Sequence, residues 1–332
     1  MPTFRYLSSA DVDDLAEPAD YVDVVRDAYR QRGEGAPAEP RTRLPSEDPP
    51  GFFTSYAARL PDTGAMGGYM YSGGFSSRDA FFMTPLFDAH SGEPLALLDG
   101  ASMNPFKTGA TGAVGVDALA REDASTVAVI GSGAQARGQL RCTAAVRDLD
   151  TVWVYSPTKE HREAFAGDTN AELDAAVAAV ASSDAAVEDA DIVITATNAS
   201  SPVFDGDALE AGAHVTAMGQ YTPGKNELDT TTVERAKYVV DLEARATQDA
   251  GSWLNALDEG VVEEDDLYGE LGDIVAGDIP GRETEDEVTV FDSGGTGIET
   301  AAAAHMLYER AVEKGRGTDL ELAAASDALT GE

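Results

Sequence analysis

A short apolar run at residues 126–130 leads directly into Gly131, Ser132, Gly133, Ala134, Gln135 and Ala136, and helical residues follow. The string has the form G-x-G-x-x-A in a strand–turn–helix setting, the context that raises it above a chance match. The first glycine permits the tight turn, and the second lets backbone approach a pyrophosphate. Ala136 is small enough for the helix to pack close to the strand. Free N–H groups and the positive end of the helix dipole then face the phosphates. The alternative is a glycine-rich turn without a ligand. Continuous apolar character marks the strand as one buried in a parallel sheet.

The pattern recurs downstream. Residues 151–155, 185–187, 192–195, 214–218 and 238–241 read as strands, with a helix at 159–165. Strands alternating with helices predict an α/β fold, a Rossmann-type doubly wound dinucleotide-binding domain over residues 121–293.

Upstream the periodicity differs. Residues 4–7 suggest a strand, and Ser8 or Ser9 a helix cap. Tyr21, Val22, Val25, Ala28 and Tyr29 recur at helical spacing within 18–32, and Gly33 and Gly35 end that helix. Residues 34–50 are rich in proline and polar groups and read as a loop, which carries Arg41 and Arg43. Residues 52–57, 66–71, 81–87 and 95–98 read as strands, the last two forming a hairpin about a turn at 88–93. Helices are expected at 101–120 and 298–314, the latter placed to cross back to the first domain. The last dozen residues read as a surface helix or a frayed tail.

Charge limits the partners. The 332 residues include 60 Asp or Glu and 23 Lys or Arg, a formal net charge of −37. Nucleic acid binding and a polybasic membrane anchor both need a cationic face, which this field opposes. With 43% hydrophobic residues the chain is nevertheless globular in composition, so the carboxylates coat a folded surface. That matches a halophilic protein, whose self-repulsion is screened by multimolar salt. An acidic protein from a low-salt organism is the alternative. The N-terminal residues lack a basic stretch followed by an apolar core, and no run approaches the length of a membrane span. A cytoplasmic protein is expected. Cys142 is the single cysteine, so no internal disulfide forms. His90, His161, His214 and His305 are dispersed and lack metal-ligand spacing.

Cofactor choice is read after the second strand of the nucleotide domain. An acid there would hold the ribose 2′-hydroxyl of NAD. This chain has Tyr155, Ser156, Pro157, Thr158 and Lys159, with no acid before Glu160. Ser156 and Thr158 can donate to a 2′-phosphate, and Lys159 and Arg162 add positive charge, so the reading leans to NADP over NAD. The alternative is that Lys159 and Arg162 pair with Glu160 and Glu163 on an exposed helix. Thr195, Ala196 and Thr197 close one strand, and Met218 and Gly219 the next. Ligands of parallel sheets bind outside such carboxyl ends.

Several strings in order resemble the ornithine cyclodeaminase/μ-crystallin family. They are Lys107-Thr108-Gly109-Ala110, Gly131 to Ala136, Thr195-Ala196-Thr197, the run from Thr222 through Pro223, Gly224 and Lys225 to Asp229, Gly281-Arg282, and the run from Val288 to Gly295. The resemblance implies a homodimer, with an α+β dimerisation and substrate domain built from both termini, residues 1–120 and 294–332. It also implies a nicotinamide-dependent enzyme. Lys107 stands at the place of the family's carboxylate-binding arginine, keeping charge but losing the bidentate fork. Arg41 or Arg43 matches a second substrate arginine. Tyr69 stands where cyclodeaminases place a lysine, and Tyr221 where they place a catalytic aspartate. Asp292, Ser293 and Gly294 are expected near the nicotinamide.

Tyrosines, with an unperturbed pKa near 10, cannot supply the charges of that lysine and aspartate at neutral pH. They can still donate a hydrogen bond or a proton to nitrogen. The leading expectation is therefore an NAD(P)-dependent oxidoreductase acting on the C–N bond of a small carboxylate-bearing amino or imino acid, of alanine dehydrogenase or ketimine reductase type. Lys107, Tyr69 and Tyr221 are its candidate catalytic residues. Alternatives are an ammonia-releasing ornithine cyclodeaminase, a non-catalytic NADP(H)-binding crystallin-like protein, and a reductase of a non-amino-acid carbonyl. The scarce cations Arg41, Arg43, Lys107, Lys159, Arg162, Lys225 and Arg282 recur inside the motifs, which marks them as pointers to an anionic cofactor and a carboxylate substrate.

Overall fold

The computed structural model describes residues 3–75 and 79–326. The first strands are β1 (Thr3–Leu7), β2 (Thr42–Glu47), β3 (Pro50–Leu60), β4 (Ala65–Gly73), β5 (Phe81–Asp88) and β6 (Pro94–Asp99). Then follow β7 (Thr126–Ile130), β8 (Thr151–Tyr155), β9 (Ala176–Ala179), β10 (Ile192–Thr195), β11 (His214–Ala217), β12 (Ala236–Val240), β13 (Gly269–Glu270) and β14 (Val288–Asp292). The last strand among the described residues is β15 (Thr318–Glu321).

β7 to β14 form an eight-stranded parallel sheet in the order β13-β12-β14-β11-β10-β7-β8-β9. From β7 the chain steps outward through β8 and β9, then returns to β10 on the other side. The strand order therefore reverses between β7 and β10, and a crevice opens at their carboxyl ends. β10, β11 and β14 are buried along their whole length, which explains the apolar run at residues 192–194 of β10. The buried polar residues of the other two are hydrogen-bonded, His214 to Thr216 and Thr289, and Asp292 to Tyr238. Each fully buried Val or Ile there contributes roughly 1.5–3 kcal/mol.

The remaining strands form a seven-stranded sheet, β15-β1-β6-β5-β4-β3-β2, antiparallel except where β1 meets β6. The Gly297–Glu313 helix packs on β3 and β4 and against the Pro18–Gly33 helix, so the C-terminal segment does cross back. Gly297 makes this possible: a Cβ there would lie 2.2 Å from the Ala57 carbonyl carbon. The Asn104–Leu119 helix joins the two sheets. It packs on the Ala134–Thr143 helix that follows the glycine string, and on the Pro18–Gly33 helix.

Two local readings are corrected. Part of the expected loop at 34–50 is β2, paired with β3 from Thr42↔Ser55 to Glu47↔Pro50. It is an exposed edge strand, where proline and polar residues are tolerated and no apolar alternation is required. Residues 185–187 belong to a helical turn, Asp184–Val187, that buries Ala186 and Val187, while the strand lies earlier at β9. Three apolar residues cannot be assigned by period alone. Just before the expected tail, β15 pairs with β1, and residues 327–332 of that tail lie outside the described residues. No helix among the described residues is long and apolar enough to cross a membrane.

Candidate active site

The glycine string sits at the crevice. Gly131 has φ +126°, and a Cβ there would lie 2.5 Å from the Ala196 carbonyl oxygen. Its N–H donates to the Tyr155 carbonyl at 2.8 Å. Gly133 caps the Ala134–Thr143 helix without a side-chain partner for the free N–H groups, and the space beside its Cα is open. Ser132 Oγ donates to Ser156 Oγ at 3.0 Å, and buried Gln135 Oε1 accepts no hydrogen bond. An open helix start with unused donors and an unpaired buried acceptor fits a nicotinamide dinucleotide.

Glu227 braces this crevice. It is fully buried, and its carboxylate accepts from Thr195 Oγ1 at 2.9 Å, Thr197 N at 2.6 Å and Gly219 N at 2.7 Å. It thereby ties the ends of β10 and β11 together. Burial raises its pKa, and the same hydrogen bonds oppose that rise.

At the end of β8, Ser156 is 5% exposed, and Arg162 Nη1 donates to its carbonyl at 2.9 Å. The Arg162 guanidinium lies 5.7 Å from the Tyr155 ring centroid. Thr158 caps the next helix, and Lys159 is exposed, its ammonium 3.6 Å from Glu163.

A cavity of about 240 Å³ opens between the two sheets beside Gln135, Met218 and Ser293. Phe52, Tyr56, Tyr71, Phe82 and Tyr221 wall it, and Arg41 and Lys107 enter it. Lys107 occupies the first turn of the Asn104–Leu119 helix, is 1% exposed, and places Nζ 3.0 Å from Glu299 Oε1. Glu299 also accepts from Thr296 N and Thr296 Oγ1, both at 2.6 Å, so one carboxylate caps a helix and holds the lysine.

Arg41 precedes β2 and is 6% exposed. Its Nε lies 3.0 Å from Asp249 Oδ2, and its Nη2 donates to the carbonyls of Gly294 and Gly295. Arg43, two residues on, is exposed with its guanidinium 4.5 Å from the Phe52 ring centroid, outside the cavity lining. Alternation along an extended backbone sends every second side chain to the same face, but Arg41 lies before the strand and turns inward.

Tyr69 is fully buried, and its Oη donates to the Gly100 carbonyl at 2.9 Å. Burial holds its pKa well above the ordinary value. Its ring carries the Lys107 ammonium at 4.9 Å from the centroid. Tyr221 lines the cavity, and its Oη accepts from Lys225 Nζ at 3.0 Å.

Asp292 reaches the end of β14, but its carboxylate turns into a buried network. Arg245 Nη1 is 2.8 Å from Asp292 Oδ1, and Tyr238 Oη donates to Asp292 Oδ2 at 2.6 Å. Arg245 also pairs with Asp241 at 2.8 Å and Asp249 at 3.5 Å. Asp241 Oδ2 accepts from Ser293 Oγ at 2.8 Å and Gly294 N at 2.9 Å, which fixes the turn that borders the cavity. Desolvation raises the pKa values of Asp249 and Asp292, and Arg245 opposes that rise.

Among the cations marked by the sequence, Arg282 stands at the opposite end of the sheet. It donates to carbonyls of Leu119 and Glu287 and has no part in the cavity. Arg245, Asp241, Asp249, Glu299 and Glu227 carry the support of the site, and sequence reading assigned none of them a role. The one available signal was a scarce arginine, Arg245, in an acidic chain. Among the described residues no cluster of metal ligands occurs.

Residues 5–315 match the family described as "Ornithine cyclodeaminase/mu-crystallin family". A Delta(1)-pyrroline-2-carboxylate reductase of Bacillus cereus is 38% identical over 237 residues, covering 71% of this chain and 73% of its own. The Thermococcus litoralis Delta(1)-pyrroline-2-carboxylate reductase, solved with NADH and L-proline, superposes with a TM-score of 0.91 at 32% identity, over 96% of this chain and 100% of its own. An archaeal alanine dehydrogenase dimer with bound NAD gives 0.90 at 28% identity, over 97% and 100%.

Proposed function

The chain belongs to the ornithine cyclodeaminase/mu-crystallin family and is a nicotinamide-dependent oxidoreductase of the carbon–nitrogen bond in small amino or imino acids; within that class we propose that it reduces a cyclic α-imino acid such as Δ1-pyrroline-2-carboxylate. The observation that carries this reading is the cavity lining. Arg41 and Lys107 supply positive charge for one carboxylate, the walls are aromatic, and among the described residues no Asp or Glu lines the space. A diamino acid such as ornithine would bring a second ammonium with no anion to meet it, a cost that buried charge does not tolerate. An apolar ring is accommodated by Tyr56, Tyr71 and Phe82.

When bound, the reduced cofactor supplies the hydride. The chain's own residues hold and orient. Gly131, Ser132, Gly133, Ala134 and Gln135 would hold the pyrophosphate, and Thr195 to Thr197, Met218, Gly219, Ser293 and Gly294 would border the nicotinamide. Asp292 supports that border from behind, through Arg245. Lys107 and Arg41 would orient the substrate carboxylate. Tyr69 acts as the platform beneath Lys107.

NADP is the preferred cofactor in this reading. Its support is the absence of an acid between Tyr155 and Lys159 and the Arg162 guanidinium fixed at the Ser156 carbonyl. A homodimer is proposed from the outer face of the seven-stranded sheet, where Leu44, Phe53, Met70, Phe81 and Met83 are exposed. The registers Leu44↔Phe53 and Met70↔Met83 place them side by side, an apolar patch that a second copy would cover.

Turnover of Δ1-pyrroline-2-carboxylate, pyruvate with ammonia, and ornithine, each with NADPH or NADP at high salt, tests the reading. The cyclic imine is expected to be reduced at least about tenfold faster than pyruvate is aminated, with no ammonia released from ornithine. Efficient ornithine deamination, or no imine reduction, would overturn it.

A further inference from the structure

Tyr221 and Lys225 lie on one loop between β11 and the Thr230–Arg235 helix. A turn closed by Lys225 N to the Thr222 carbonyl at 2.9 Å folds the lysine back over the tyrosine. The ammonium lies 3.0 Å from Tyr221 Oη and 4.3 Å from its ring centroid, with Asn198 Oδ1 at 3.2 Å. An ammonium only donates, so it occupies acceptor capacity of the phenol. The phenol's own proton is left to point elsewhere, and Tyr221 borders the cavity.

The other donors around the cavity are committed elsewhere or are phenols whose ionisation burial opposes. Ser293 Oγ gives its proton to Asp241, and Lys107 is paired with Glu299. Burial pushes Tyr71 up to about 12 and Tyr56 higher still. Besides Lys225, the charged and titratable groups facing Tyr221 are Arg41, 5.7 Å from the ring centroid and backed by Asp249, and Tyr71 and Lys107 across the cavity.

We propose that Tyr221 gives its proton to the substrate nitrogen and that Lys225 acts through it, fixing the phenol and stabilising the phenolate left behind. This rests on the imine-reductase reading above. As the imine carbon gains hydride from the reduced nicotinamide, the C=N π pair moves onto nitrogen. That nitrogen forms its N–H bond with the Tyr221 proton as the O–H bond breaks. The phenolate stays beside the ammonium and is reprotonated from solvent, which half-buried Lys225 reaches. Tyr221 is thus a catalytic residue and Lys225 a positioning residue.

Three variants decide it: Tyr221→Phe, Lys225→Met, which keeps the aliphatic stem, and Lys225→Arg, which restores charge. Tyr221→Phe is expected to lower kcat for imine reduction by about 100-fold with KM within about threefold, the usual size of a general-acid contribution. Lys225→Met should lower kcat by about tenfold and move the alkaline limb of kcat upward, and Lys225→Arg should recover both. An ultraviolet difference titration against Tyr221→Phe reads the phenolate directly, without turnover. In Lys225→Met that phenolate should appear at higher pH than in the parent. Near-parental kcat in Tyr221→Phe, or an unmoved phenolate titration in Lys225→Met, would overturn the proposal. If the parent protein reduces no imine, the underlying reading fails instead, and the titration still reports whether Lys225 governs Tyr221.

Discussion

Lys107 Nζ lies 3.0 Å from Glu299 Oε1, and both side chains are shielded from solvent. The pair links the start of the Asn104–Leu119 helix to the start of the Gly297–Glu313 helix. Removing one member of a buried pair typically costs about 3–5 kcal/mol, because the other charge is left without compensation. Glu299→Ala is therefore expected to lower stability by that order in chemical denaturation. Glu299→Gln, which can still cap the helix, should fold but raise KM for the imino acid severalfold. An unchanged KM in Glu299→Gln would show that the pair does not position the lysine.

His214 gives a pH signature of stability. It is fully buried between Thr289 Oγ1 at 2.9 Å and Thr216 Oγ1 at 3.0 Å, and burial lowers its pKa to about 3. Its folded value lies below the unfolded value near 6.5, so the unfolded chain binds the extra proton. The neutral ring's contribution is complete above pH about 6.5 and is lost as pH falls toward 3, at up to about 1.4 kcal/mol per unit. Denaturation of the parent and His214→Gln across that window should show a steeper rise of stability with pH in the parent than in the variant. Parallel curves would refute the assignment.

Ser156→Asp places a carboxylate where a 2′-phosphate would sit. Repulsion of the phosphate and a new partner for the ribose hydroxyl should shift the NADPH-to-NADH ratio of kcat/KM toward NADH by about tenfold or more. Equal ratios in parent and variant would remove the NADP preference.

Net charge predicts a salt requirement. With a formal charge of −37, self-repulsion opposes the compact state until salt shortens the Debye length to about 3 Å near 1 M. The unfolding temperature should rise steeply with potassium chloride up to roughly that concentration and beyond. A flat dependence would contradict the halophilic reading.

The exposed sheet face predicts the oligomer. Met70 and Met83 are 43% and 59% exposed and lie opposite each other across β4 and β5. Substituting both by lysine should convert a dimer to a monomer in light scattering at unchanged helical content. A dimer that persists would move the interface elsewhere.

The nucleotide-binding sheet was legible because its signals are local. Apolar runs at β7, β8 and β10 need only their own residues to be read, as does the turn at Gly131, whose φ of +126° suits glycine. The edge strands β2, β9 and β15 were not legible. They hold their place by backbone pairing to a neighbour, which asks little of their side chains.

The same division runs through the site. The chain by itself determined the crevice fingerprint, the missing acid after β8, and the presence of scarce cations and several tyrosines in the motif segments. Tertiary structure decided which arginine turned inward, that Tyr69 spends its hydroxyl on the Gly100 carbonyl, and that Asp292 faces Arg245. It also joined Lys107 to Glu299, 192 positions away. Period and turn chemistry arise between near neighbours, so sequence carries them openly. A buried charge's partner depends on which distant segments the packed core brings into contact, and only the folded chain sets that.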